Sequence, residues 1–83
     1  VTYKVLYENE EPTMVRVKIK DDRGELVRAD KFKSTNGFMQ RYDLSALEEG
    51  TYFVELRDKY GVITEKVVIK DQLKHASTAI AKN

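Results

Sequence analysis

The feature that most constrains the fold of this chain is an alternating stretch at residues 51–57, which a short turn connects to a second apolar stretch at 62–69. Tyr52, Val54 and Leu56 fall on one side of an extended strand, because successive strand side chains point to opposite faces. An Asp-Lys-Tyr-Gly sequence between the two stretches is typical of a turn. A hairpin with one apolar face needs a second sheet to cover it, so this region alone predicts a layered β-structure.

Four earlier segments, at 1–7, 14–20, 26–32 and 38–44, carry the same two-residue period and are also predicted strands. No segment between them is long enough for the crossover helix of a parallel sheet. The sequence therefore predicts one all-β domain over residues 1–83, an immunoglobulin-like antiparallel β-sandwich of the Greek-key type with about six to eight strands.

Two parts of this assignment are less regular. Leu26 and Val27 are adjacent apolar residues, and a β-bulge at this point would bring both into the core. Residues 71–83 are richer in alanine and have no clear alternation, so their structure is uncertain; an edge strand at 75–80 is slightly favoured over a short helix.

Composition excludes several classes of function. The chain has no cysteine, which excludes disulfides, thiol chemistry and cysteine-based zinc sites. Its formal net charge is +1, which argues against a dedicated nucleic-acid binder. No apolar run approaches the ~20 residues of a membrane helix, so no membrane insertion is expected. Because the chain begins with valine instead of methionine, we expect a processed protein or a segment of a longer one.

The pattern Leu47-x-x-Gly50-x-Tyr52 resembles the tyrosine corner of Greek-key sandwiches. In that arrangement the tyrosine hydroxyl returns to the backbone a few residues upstream and fixes the loop that enters the strand. We therefore expect Leu47, Gly50 and Tyr52 to have a structural role instead of binding a ligand.

No catalytic or cofactor-binding pattern is present. His75 is the single histidine, and no potential metal ligand stands at a suitable spacing from it. The acidic groups at 8–11 and 21–22 lack the calcium-loop pattern, and turn chemistry explains the second group. We expect no catalytic residues, no metal and no cofactor.

A basic stripe is predicted on one strand face, where Arg16, Lys18 and Lys20 alternate with apolar residues and are joined by Lys66 and Lys70. Polyanion binding is one interpretation. A solvated sheet face, on which lysine also discourages edge-to-edge aggregation, is the favoured one.

Met39, Phe53 and Val68 occupy predicted outward positions. If they cluster, they form an exposed apolar patch that marks an interface. If another segment covers them, they form a secondary core.

Three segments resemble the C-terminal sorting domain of type IX secretion cargo: VRVKIKDDRGELV at 15–27, YDLSALEEGTYFVEL at 42–56 and KVVIK at 66–70. The resemblance covers residues 15–70 and extends equally to small exported immunoglobulin-like proteins that are not secretion signals. Sorting signals of this family usually end near the last lysine, whereas thirteen residues follow Lys70 here, which favours a small exported protein built on the same sandwich.

The resemblance implies a non-enzymatic domain of the periplasm or the cell exterior that acts through contact with a protein partner, with a sheet face or edge as the interface. The alternative is an accessory carbohydrate- or protein-binding module of a larger extracellular protein. A small hydrolase with paired carboxylates is the least favoured hypothesis.

Overall fold

The structure is a computed structural model, and it describes residues 2–70. The predictions for His75 and for residues 71–83 lie outside this range. The described chain contains six strands: β1 (Thr2–Glu8), β2 (Thr13–Asp21), β3 (Leu26–Ser34), β4 (Gly37–Asp43), β5 (Gly50–Asp58) and β6 (Gly61–Ile69).

The strands form two antiparallel sheets, one of two strands in the order β1-β4 and one of four strands in the order β3-β2-β5-β6. Two hairpins, β2–β3 and β5–β6, make up the larger sheet, and the chain crosses between the sheets at the other connections. The predicted all-β sandwich is confirmed.

The core lies between the two sheets, where alternate side chains of both meet. Val15, Val17 and Ile19 of β2 are almost completely buried, because β2 is an inner strand of the larger sheet. The buried apolar residues are Val5, Val15, Val17, Ile19, Tyr42, Leu44, Tyr52, Val54 and Ile69. β2 and β5 each turn one face into the core and leave the other for solvent or for a partner, whereas most of β6 is exposed on both faces.

The expectation that Leu26 and Val27 enter the core is wrong. A bulge is present at this point, because Ile19 pairs with Arg28 while Lys20 pairs with Leu26, which leaves Val27 as the extra residue. Leu26 shares a register position with the outward-facing Lys20, and Leu26 and Val27 remain 56% and 41% exposed. The bulge therefore turns this end of an edge strand away from the core.

Two tyrosines of β1 join the smaller sheet to the larger one. The Tyr7 hydroxyl donates to the Asp58 carboxylate at 2.6 Å, and this hydrogen bond raises the pKa of Tyr7 to about 12. The Tyr3 hydroxyl donates to Glu65; burial, followed by this bond, raises the pKa of Tyr3 to about 12. The two bonds fix β1 above β5 and β6.

Gly37 begins β4 opposite Glu8, where two backbones approach closely. Its φ is 133°, and a Cβ atom there would lie 2.7 Å from the Tyr7 carbonyl oxygen. Any side chain would meet both a strained backbone and a fixed oxygen atom, so this pairing requires glycine.

Candidate functional site

The segment before β5 has the geometry that the Leu47–Gly50–Tyr52 pattern predicts. The Tyr52 hydroxyl donates to the Glu48 carbonyl oxygen at 2.8 Å, four residues upstream. The Leu47 amide donates to the Leu44 carbonyl oxygen at 3.1 Å, and Leu47 packs against the core. A Cβ atom on Gly50 would lie 3.9 Å from the Tyr52 ring, an ordinary contact, so the φ of 156° is what favours glycine there. These residues hold the loop and face the protein interior.

The three apolar residues predicted at outward positions, Met39, Phe53 and Val68, lie on two different surfaces. Phe53 pairs with Lys66 and is therefore a diagonal neighbour of Val68 on the outer side of the larger sheet. Met39 lies on the outer side of the smaller sheet, where its cross-strand partner is Leu6. Because β4 pairs with β1 and not with a strand of the larger sheet, Met39 cannot join the other two in one patch.

The outer side of the larger sheet is strongly basic. Its outward strand positions carry one acidic residue, Glu55, and seven cations. The cations are Arg16, Lys18, Lys20, Lys31, Lys33, Arg57 and Lys66. We call this surface the basic face. It holds almost half of the 15 lysines and arginines of a chain whose net charge is only +1.

Like charges stand directly opposite one another across three strands of the basic face. Arg16 pairs with Lys31 on one side and with Arg57 on the other. The ion pair on this face joins Lys20 to Glu55 at 3.8 Å, and within residues 2–70 no carboxylate reaches ion-pair distance of the Lys31–Arg16–Arg57 row. Each opposed pair of cations destabilises the sheet, by roughly 0.5–1 kcal/mol at this separation in a water-like dielectric.

Sequence reasoning found only part of this surface. The sequence predicts a basic stripe of Arg16, Lys18 and Lys20 joined by Lys66 and Lys70, and it does not place Lys31, Lys33 or Arg57 on that stripe. Lys70 lies just beyond the end of β6. The bulge at Val27 hides the alternation of β3, and pairing between β2 and β5 is not visible in the sequence.

One end of the basic face contains a shallow cleft of about 470 Å³. Its lining includes the cationic residues Arg16, Lys33, Arg57 and Lys59, with Asp58 as the acidic one. The Asp58 carboxylate already accepts hydrogen bonds from Tyr7 and from the amides of Tyr60 and Gly61. The Tyr7 hydrogen bond is the main reason that the pKa of Asp58 is lowered, so this carboxylate is ionised and is already hydrogen-bonded within the domain.

The outer side of the smaller sheet has a different character. Lys4 and Arg41 are a cross-strand pair there, and Glu8 and Asp43 balance their charge. The apolar pair Leu6 and Met39 lies between them, with 72% and 48% of each residue exposed. We call this surface the neutral face.

A groove of about 240 Å³ runs between β1 and β6. Tyr3 and Val5 line one side, and Leu56 and Ile63 line the other. Within the described range no strand pairs with the second edge of β1, so backbone groups along this groove are available to an added strand.

The acidic residues form no metal centre within the described range, where no three potential ligands converge. Asp21 instead accepts hydrogen bonds from the backbone amides of Arg23 and Glu25, each at 2.9 Å, and these bonds close the β2–β3 turn. None of the residues that the structure describes forms a helix long and apolar enough to cross a membrane.

Comparison with protein families gives one result. A family model described as the secretion system C-terminal sorting domain matches residues 2–70. The match begins with β1 and extends one residue beyond β6, so it spans the whole described sandwich. Comparisons with curated proteins and with solved structures give no significant match.

Proposed function

The chain belongs to the family of type IX secretion C-terminal sorting domains, and from this premise we propose that it is a non-enzymatic export signal recognised through protein–protein contact. The family relates the chain to secretion sorting and implies an exported protein. In our proposal the sandwich acts in the periplasm or at the cell exterior, has no catalytic role, and presents an outer surface to a protein of the secretion apparatus.

The observation that carries the proposal is that the family match includes all six strands. A match over all six strands supports recognition through surfaces that the complete described sandwich presents. The two outer faces and the groove beside β1 are the surfaces available for such contact.

The test is an export assay with residues 1–83 fused behind a reporter that carries its own signal peptide, in a cell with a working type IX system. We expect the reporter in the medium or at the cell surface. A matched Val17→Asp fusion should remain in the periplasm, because it puts a charge at a position that is 1% exposed and unfolds the sandwich.

Retention of the unaltered fusion in the periplasm of the competent cell would contradict the proposal and would favour the accessory binding module. Equal release from a strain without the type IX apparatus would also contradict it.

A further inference from the structure

We propose that the basic face is the docking surface of this domain and that it binds an acidic surface on a protein partner. This inference rests on the proposed function and adds to it the side of the sandwich that is recognised and the chemistry of the partner.

The first argument is the charge pattern. The Lys31–Arg16–Arg57 row brings three cations into register on neighbouring strands, with no ion pair to a carboxylate within residues 2–70. The repulsion within such a row destabilises the isolated sheet. The electrostatic energy of the row becomes favourable only when negatively charged groups bind next to it. Carboxylates on a partner would therefore relieve repulsion that the domain itself leaves in place.

Arginine is well suited to this contact. Arg16 and Arg57 are directly paired at the centre of the row, and a guanidinium group can bind a carboxylate through two parallel hydrogen bonds. The cleft beside the row adds two further cations, Lys33 and Lys59. Asp58 is held by Tyr7 and by two backbone amides and makes no ion pair with the cations of this cleft, so four cations face one carboxylate and the cleft keeps a positive charge.

The second argument is the size and shape of the surface. Its four strands each have nine residues. Such strands are about 30 Å long, and four of them side by side measure about 19 Å across. The resulting area, on the order of 600 Å², approaches the ~800 Å² that one partner contributes to a standard protein interface. An open sheet face of this size fits another protein surface better than a small ligand.

The third argument is the apolar residues between the cations. Met14, Val62 and Val68 are 42%, 42% and 53% exposed on this face, and the partly buried Phe53 lies beside Val68. Arginine, methionine and aromatic residues together are typical of protein interfaces. A lipid surface takes up apolar side chains that stand together as one face, whereas these are separated by cations and lie on three different strands. The combination therefore favours a protein with both carboxylates and apolar side chains.

The binding test uses the complete chain and fluorescent poly-glutamate as the probe. We expect binding at an ionic strength of about 0.02 M that weakens steeply with added salt. Arg16→Gln together with Arg57→Gln should weaken it about tenfold. The matched control, Lys4→Gln together with Arg41→Gln, removes the same charge from the neutral face and should weaken binding by less than about twofold.

Equal losses in the two double variants would overturn the inference, because binding would then follow net charge alone. A separate arm uses vesicles of phosphatidylglycerol at an ionic strength of about 0.15 M. Vesicle binding that depends on Arg16 and Arg57 would assign the surface to lipid and would also overturn it. Both double variants replace long side chains at exposed positions, and their melting temperatures provide the check that they are folded.

The export assay then tests the surface in the cell, with the same two double variants and with Phe53→Ser. We expect export of the unaltered fusion and of the neutral-face control, with a loss of about tenfold for the basic-face variant and a partial loss for Phe53→Ser. Export of all variants would overturn the docking surface and leave the sorting function standing. Retention of the unaltered fusion would contradict the sorting function itself, whatever the variants do.

Discussion

The two sheets of this sandwich share one core, but their outer surfaces differ in charge. The basic face has seven cations and one carboxylate, whereas the neutral face has two of each. The core requires only that alternate residues be apolar, and it places no demand on the charge of the outward positions. A difference this large between two faces of one small domain therefore has no explanation in the stability of the fold.

The sheets also differ in how they are held in place. The larger sheet has an inner strand, β2, with three residues that are at most 1% exposed. Within residues 2–70 the smaller sheet has two strands and no inner one, and it depends on a close backbone approach at Gly37 and on the tyrosine hydroxyls of β1. Changes at those points should affect stability, and changes on the basic face should affect binding.

Among the changes that distinguish the two sheets, the largest effect on stability is expected from Gly37→Ala. The added Cβ atom would lie 2.7 Å from the Tyr7 carbonyl oxygen at a φ of 133°, so the β1–β4 pairing must shift. We expect a loss of about 2–3 kcal/mol in the free energy of unfolding. Urea denaturation measures it.

The control is Gly24→Ala, where φ is 82° but no atom lies within 4 Å of the added Cβ. This change should cost only about 1 kcal/mol, the strain of the backbone alone. Equal losses for the two variants would mean that the close approach at Gly37 does not hold the smaller sheet.

A medium effect is expected from Tyr7→Phe, which removes the hydrogen bond from β1 to Asp58. The cost should be about 1 kcal/mol near neutral pH. The pKa of Tyr7 rises from 10.0 to about 12 on folding, so its contribution is complete below pH 10 and is lost as the pH rises through 12. The lowered pKa of Asp58 gives the opposite limit: this contribution is present above the ordinary pKa of 3.8 and is lost as the pH falls further.

Thermal unfolding across pH checks this prediction. The difference between Tyr7→Phe and the unaltered chain should be largest between about pH 5 and pH 9 and should narrow toward both extremes. Tyr60→Phe is the control: Tyr60 is 70% exposed, so the change should have little effect. A difference that did not vary with pH would show that the Tyr7 hydroxyl does not act through Asp58.

The smallest effect is a gain in stability from Arg57→Gln. It removes one of two like charges that face each other across β2 and β5. We expect a gain of about 0.5 kcal/mol at low ionic strength, which disappears at high salt. Lys4→Gln on the neutral face should give a smaller gain, because Glu8 and Asp43 share that face. A loss of stability from Arg57→Gln would mean that repulsion between the cations of the basic face does not destabilise the sheet.

The sequence allowed most of the fold to be predicted, because alternation is a local property and is strong in β1, β2, β4 and β5. The Leu47–Gly50–Tyr52 pattern likewise depends on residues only a few positions apart. The surfaces were harder to predict because they depend on which strands become neighbours. Met39 appears outward in the sequence just as Phe53 does, and only the pairing of β4 with β1 separates them.

The basic face could not be predicted in full either, because it depends on strands that are distant in the sequence. Arg16 and Arg57 are 41 positions apart in the sequence and become partners only when β2 pairs with β5. Lys31 joins them through the β2–β3 hairpin, whose register contains the bulge. The bulge shifts the register by one residue, so the outward cations of β3 could not be assigned from its pattern.

The most direct test of the central claim is a titration of the ¹⁵N-labelled chain with poly-glutamate, followed by amide chemical shifts. The account predicts the largest shifts along the Lys31–Arg16–Arg57 row and at the cleft beside it, with the amides of Lys4 and Arg41 nearly unchanged. Shifts of equal size on β1 and β4 would contradict it, because the unequal charge of the two faces would then not decide where an acidic partner binds.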